Sequence, residues 1–132
     1  MNDPSSVLAQ PGESRPTVLL VEDDAGLREA MARALTRAGY EVLPAATGAE
    51  ALELAPVAPP SAAIVDVFLP DAGGLGIARE LRRRPELGQV PLLFTTALDL
   101  PIVREALSPS PVLFKPFTAR ELLDAVHEIA RR

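Results

Sequence analysis

The chain has 132 residues, a length that holds one domain. Hydrophobic residues make up 48% of it and aromatic residues only 4%, so a core can form but Val, Leu, Ile and Ala must pack it. The net charge of −5 argues against non-specific nucleic-acid binding, and the lack of cysteine excludes disulfides, thiolate chemistry and zinc–sulfur sites.

No apolar run approaches the length of a membrane span, and the N-terminus lacks the charged start and apolar stretch of a secretion signal. A cytoplasmic protein without membrane contact is expected. Residues 1–15, rich in Pro, Ser and Gly, show no periodicity and read as a disordered N-terminal tail, leaving 16–132 as the domain. Thr17 to Val21 is a short apolar run, as expected of a strand buried on both faces. Leu27, Ala30, Met31, Ala34, Leu35 and Ala38 then recur at helical spacing, with Asp24 placed to cap the start and Gly39 the end.

Tyr40 to Leu43 reads as a second strand, and Thr47 with Glu50 as the capping box of a short helix that stops near Pro56. A third strand, Ala62 to Val65, leads into Asp66. Beyond a loop with Pro70, Gly73 and Gly74, a helix is predicted from about Leu75 to Arg84. Val90 to Phe94 reads as the fourth strand, Pro101 to Leu107 as a short helical stretch, and Val112 to Phe114 as the fifth strand. Thr118 and Glu121 form a second capping box, before a helix lined by Leu122, Ala125, Val126 and Ile129. Strands alternating with helices specify an α/β domain with a parallel sheet and right-handed crossovers.

In such open sheets ligands sit beyond the carboxyl ends of the strands. Glu22, Asp23, Asp66, Thr96 and Lys115 all lie at those ends, so the topology gathers them on one rim. Three carboxylates brought together repel unless a cation offsets them, and Mg2+ suits an all-oxygen donor set. A carboxylate can also attack phosphorus to give an acyl phosphate, and phosphoryl transfer needs mainly positioning and charge neutralisation. Asp66, alone at its strand end, is the candidate nucleophile, and the Glu22-Asp23 pair the candidate metal base. Lys115 and the Thr96 hydroxyl are candidate partners of the phosphoryl oxygens.

These residues resemble the receiver domain of two-component response regulators, over a match that runs from about Thr17 to the C-terminus. Val21-Glu22-Asp23-Asp24 is similar to the family's acidic pair, and Asp66-Val67-Phe68-Leu69-Pro70 to its phosphoacceptor loop. Phe94-Thr95-Thr96-Ala97 is similar to its switch-hydroxyl segment, and Phe114-Lys115-Pro116-Phe117 to its Lys-Pro-Phe signature. The resemblance implies a flavodoxin-like, doubly wound (βα)5 fold with a five-stranded parallel sheet in the order 2-1-3-4-5. It implies that Asp66 accepts a phosphoryl group from a phosphohistidine of a sensor kinase or phosphotransferase. It further implies Mg2+ ligated by Asp23, Asp66 and the backbone carbonyl of Phe68, with Glu22 acting through water, and a cis Lys115-Pro116 peptide.

Three departures bear on the output. The position three before Lys115, often aromatic in the family, is Val112, so rotation of a buried aromatic there is excluded as the signal. Gly73 stands where the family usually has an acid before Gly74. The gap from Thr96 to Lys115 is roughly one helical turn shorter than is usual, so the fourth helix should be short or irregular. Val112, the shortened helix and Phe94-Thr95-Thr96 are similar to a receiver subgroup known for a Phe-Ala-Thr-Gly signature, although Thr95 replaces its Ala and Ala97 its Gly.

The expected function is a single-domain receiver that signals through phosphorylation-dependent protein binding to an unidentified downstream protein, with no DNA-binding or catalytic output domain. A homodimer through the fourth-helix and fifth-strand face is one expected mode of contact. It is expected to be a signalling domain and not an enzyme, apart from Mg2+-dependent self-phosphorylation and autodephosphorylation. The alternative is a degenerate receiver acting as a phosphorylation-independent scaffold. An aspartate-nucleophile phosphatase would need a second acid two residues beyond Asp66, where Phe68 cannot transfer a proton. Arg82-Arg83-Arg84 reads as a helix C-terminus complementing its dipole, and His127 as a surface residue. No Gly-Lys-Ser/Thr nucleotide loop is present.

Overall fold

The computed structural model of the chain describes residues 15–57, 59–71 and 73–130. The tail expected over residues 1–15 lies outside them except for Arg15. Five strands, β1 (Thr17–Val21), β2 (Glu41–Ala45), β3 (Ala62–Asp66), β4 (Leu92–Thr96) and β5 (Val112–Phe114), alternate with five helices. The helices are α1 (Ala25–Arg37), α2 (Gly48–Leu54), α3 (Gly73–Arg83), α4 (Pro101–Leu107) and α5 (Ala119–Ala130). All strand pairings are parallel and the order is β2-β1-β3-β4-β5, the doubly wound arrangement expected from the sequence.

Strand alternation divides the core between the two faces of the sheet. Val18, Leu20, Ala62, Ile64 and Leu93 pack with Met31 and Leu35 of α1 and with Leu122, Val126 and Ile129 of α5. Leu19, Val21, Ala63, Val65, Leu92 and Phe94 pack with Ala51 of α2, Ile77 and Leu81 of α3 and Leu107 of α4. Burial on both faces explains why β1 and β3 read as unbroken apolar runs.

Local chemistry sets the element ends. Asp24 Oδ1 accepts from Gly26 N at 3.1 Å and caps α1, while Gly39, at φ 101°, turns the chain out of it. Thr118 and Glu121 form the reciprocal box, at 2.8 and 3.1 Å. The Thr47–Glu50 pair differs. Glu50 N donates to Thr47 Oγ1 at 3.1 Å, but the Glu50 carboxylate accepts from Ala46 N at 2.6 Å instead of from the cap itself.

Boundaries shift by a few residues from those expected. β2 runs over 41–45, and β4 begins at Leu92 because Val90 N is spent on the turn carbonyl of Leu87 and Pro91 has no N–H to give. Thr95 and Thr96 are therefore the last rungs of β4. The fourth helix is short, as the reduced spacing implied, and carries Pro101 in its first turn. The arginine run also does more than complement a dipole. Arg82 Nη1 donates to Val90 O at 2.9 Å and Arg84 Nη1 to Leu52 O at 3.3 Å, while Arg83 pairs with Glu80 at 2.8 Å.

One glycine in the first turn of α3, just after the β3–α3 loop, is required by space. A Cβ on Gly74 would sit 2.6 Å from the Asp66 carbonyl oxygen and 2.8 Å from Val67 Cα, both backbone atoms that cannot swing aside. Gly74→Ala is expected to lower stability in urea unfolding by about 1–3 kcal/mol. Gly26→Ala, whose nearest contact would be an ordinary 3.6 Å, serves as the control and should lie within about 1 kcal/mol of wild type. Equal effects at the two positions would contradict the close approach at Gly74.

Candidate phosphoryl and metal site

The sheet brings the five residues to one rim. Glu22 and Asp23 directly follow β1, Asp66 ends β3, Thr96 ends β4 and Lys115 follows β5. The ladder continues past the strands. Val67 N donates to Thr95 O at 2.9 Å and Lys115 N to Thr96 O at 2.8 Å, so Asp66 and Lys115 are each held by the backbone of β4. The Lys115-Pro116 peptide is cis, as the resemblance implied, and Ser108-Pro109 is cis as well.

Lys115 is the electrostatic centre of the rim. Its Nζ donates to Asp66 Oδ2 at 3.0 Å and lies 2.9 Å from Glu22 Oε1. The second contact is ionic and falls outside hydrogen-bonding angles, so Oε1 is a buried acceptor with no hydrogen bond among the described residues. Glu22 and Asp66 are only 1% and 4% exposed. Burial pushes the Glu22 carboxyl above the ordinary carboxylate range. Lys115 and the Asp24 amide pull it back, and the Asp66 charge raises it further. Burial works against the Lys115 ammonium, but Glu22 and Asp66 outweigh it and hold its pKa above the usual lysine value. Lys115 therefore stays charged.

Carboxylate oxygens of Glu22, Asp23 and Asp66 lie within 4.8 Å of one another, two of the residues buried and Asp23 exposed. A hydrogen-bond-free buried oxygen among three carboxylates is a donor set for a hard divalent cation, and among the described residues no sulfur or imidazole competes at this rim. Asp66 Oδ1 accepts from Phe68 N at 3.1 Å, which folds the loop after β3 back over the carboxylate, with the Phe68 side chain left exposed. Thr96 is fully buried, and its Oγ1 accepts from Leu98 N at 3.1 Å. Asp24, Leu27, Ala97, Lys115, Pro116 and Phe117 line a depression of about 390 Å³ beside the ammonium, with the small Ala97 leaving it open.

Two further residues, not marked by any strand end, hold the segments next to this rim. Arg28 Nη1, from α1, donates to Glu22 O at 2.9 Å and Asp23 O at 3.4 Å. The Asp71 carboxylate accepts from Gly48 N at 3.0 Å and from Ala49 N at 3.1 Å. A cation five positions after Asp23 on a helix was a usable sign for Arg28. Asp71 had none, because its partners lie in a different element. His127 is exposed, as expected.

Residues 18–127 match the response regulator receiver domain family, and the chain belongs to it. Curated relatives include the transcriptional regulatory protein GltR of Pseudomonas aeruginosa, 34% identical over 119 residues, with 88% of this chain and 49% of that protein covered. Response regulator MprA of Mycobacterium leprae is 36% identical over 118 residues, covering 87% of this chain and 51% of that protein. The chain thus spans about half the length of these relatives. Among solved structures, a response regulator from Chloroflexus aurantiacus has a TM-score of 0.83 at 34% identity, with 90% of this chain and 100% of that one covered. The chemotaxis protein CheY4 of Vibrio cholerae has a TM-score of 0.82 at 30% identity, with 88% and 99% covered. Receiver domains are signalling domains phosphorylated by histidine kinases or phosphotransferases, and they bind Mg2+ at an acidic pocket such as this one.

One hydroxyl near the rim is unspent. Thr95, in register with Asp66, is 1% exposed, and its Oγ1 has no hydrogen-bond partner among the described residues. An unpartnered buried hydroxyl costs free energy that a methyl group does not. Thr95→Val is therefore expected to raise unfolding stability by about 1 kcal/mol in urea melts. A loss of stability would mean that the hydroxyl is bonded in solution.

Proposed function

We infer that the chain accepts a phosphoryl group on Asp66 from a phosphohistidine of a histidine kinase or histidine phosphotransferase. The observation that carries this reading is the Lys115 ammonium 3.0 Å from Asp66 Oδ2, beside three carboxylates with oxygens within 4.8 Å. An Asp66 carboxylate oxygen attacks phosphorus and the P–N bond breaks. Its electron pair stays on the imidazole nitrogen, and an acyl phosphate forms on Asp66. Lys115 offsets charge on the transferred oxygens, and the Thr96 hydroxyl donates to one of them. Asp23, Asp66 and the Phe68 backbone carbonyl would hold Mg2+, with Glu22 acting through water. When bound, the ion neutralises charge on the phosphoryl oxygens. Loss of the phosphoryl group to water resets the site, so the chain works on itself and turns over no separate substrate.

Output is then a change in protein binding, through a pre-existing equilibrium that phosphorylation biases around Thr96. The downstream protein, or a second copy of this chain, would meet the face of α4 and β5, where Ile102 of α4 is exposed together with Leu98 and Leu100 of the preceding loop. Likeness to a chemotaxis protein supports a signalling receiver, and a cytoplasmic location belongs to the same proposal. The complete set of site residues supports phosphorylation over a scaffold that never takes phosphate.

Incubation with acetyl phosphate and Mg2+ should add one phosphoryl mass to wild type in intact-mass spectrometry and none to Asp66→Asn. An equal gain in both proteins would remove Asp66 as the acceptor. Lys115→Ala should still bind Mg2+ by calorimetry, because Lys115 pairs with the phosphoryl group and not with the metal. Its phosphorylated form, however, should lose the conformational response seen as amide shift changes around Thr96 and Leu98. A full response in that variant would contradict the role given to Lys115.

A further inference from the structure

The β3–α3 loop is held near Asp66 by hydrogen bonds at Val67 and Phe68, and at its far end by a remote contact of Asp71. Near Asp66, Val67 is fixed on both sides, since its N–H donates to Thr95 O and its carbonyl accepts from Gly74 N at 2.8 Å. At the far end, Asp71 reaches across to α2 and takes the Gly48 and Ala49 amides with its two carboxylate oxygens. Thr47 Oγ1 already takes the next amide, Glu50 N. The start of α2 is thus divided between its own cap and a side chain from the loop that follows the phosphoacceptor strand.

Between Val67 and Asp71 the chain forms a short arc of Phe68, Leu69 and Pro70. Leu69 is buried in the core on the α2–α3 side of the sheet, whereas Phe68 is exposed and among the described residues is bonded locally, through its N–H, to Asp66 Oδ1. An arc clamped at both ends has far fewer conformations than one clamped at one end. We propose that Asp71 is a positioning residue for the phosphorylation site. By tying the far end of this arc to α2, it fixes the Phe68 peptide over the Asp66 carboxylate. The idea rests on the reading of Asp66 as acceptor and Phe68 as carbonyl ligand given above. It adds a residue that touches neither phosphate nor metal and acts through the loop.

Outer groups that orient a ligand commonly change metal affinity by about 10–100-fold when removed. The test compares wild type, Asp71→Ala and Asp71→Asn, the last keeping one amide-accepting oxygen without the charge. Solvent-exchange NMR on metal-free protein reads the Gly48, Ala49 and Phe68 amides. In Asp71→Ala all three should exchange roughly tenfold faster, with Asp71→Asn in between. Faster exchange at Gly48 and Ala49 with Phe68 unchanged would make Asp71 a plain helix cap and overturn the proposal. Calorimetric Mg2+ titration should give an affinity about tenfold weaker for Asp71→Ala, with the loss persisting at high salt, where a distant charge is screened. An unchanged affinity, or a loss that vanishes at high salt, would also overturn it. Should wild type itself bind no Mg2+, the metal-site reading fails, and the Phe68 amide alone decides whether Asp71 holds the arc.

Discussion

The arrangement of this molecule depends on one ammonium group between two buried carboxylates. Glu22 and Asp66 come from the ends of neighbouring strands and have little contact with water, so their mutual repulsion is not relieved by solvent. Lys115 Nζ answers both, at 2.9 and 3.0 Å. Removing charges from water costs several kcal/mol per ion in general, so such a trio is poor evidence for stability on its own. Its value lies in specificity and in reserve. The trio leaves one carboxylate oxygen without a hydrogen bond and one acid, Asp23, in water. That is surplus negative charge which a cation can offset, leaving the ammonium free to face an anionic phosphoryl group.

The fold was legible in the sequence to the extent that it is written in local chemistry. Apolar runs of about five residues gave away β1 and β3, because both their faces are buried, and the spacing from Leu27 to Ala38 gave away α1. Caps at Asp24 and Thr118 were readable for the same reason, since each partner lies two or three residues away. The start of β4 was misplaced because Val90 is as apolar as its neighbours. Whether it belongs to the strand is decided by its N–H turning to Leu87 O, which composition does not encode. Likewise, Glu50 suits a capping box by type and spacing, and only the backbone path shows its carboxylate reaching Ala46.

The site residues were legible because a parallel sheet has one carboxyl edge, so acids, hydroxyl and lysine at strand ends must meet there. What the strand ends cannot show is the support around them. Arg28 grips two carbonyls of the acidic turn, and Asp71 bridges to an element more than twenty residues earlier in the chain. Val112 stands where the family often has an aromatic residue. In the folded chain it borders a cavity of about 240 Å³ shared with Arg104, Ser108, Pro109, Ser110 and Phe114. The strand does carry an aromatic residue, two positions further on, and Arg104 stacks over the Phe114 ring at 4.4 Å.

These supports are unequally distributed, and the imbalance has a mechanical meaning. On the acid side, the loop after β3 is anchored by backbone bonds at Val67, by the tight seat of Gly74 and by the Asp71 bridge. On the hydroxyl side, the segment from Ala97 to Leu100 is exposed. Its local holds are the Leu98 amide on Thr96 Oγ1, the Val103 and Arg104 amides on Leu100 O, and an Asp99–Arg104 ion pair whose partners are more than half in water. Exposed ion pairs add little, and segments with few buried contacts open at the lowest free energy. The Thr96 hydroxyl therefore stands beside the less firmly held side of the rim. Drawing it towards a new acceptor beside Lys115 competes with the Leu98 bond, while the carboxylate side of the rim stays in place. A rim that is stiff at the carboxylates and softer beside the hydroxyl would suit the output proposed above, which needs no rotating aromatic at position 112.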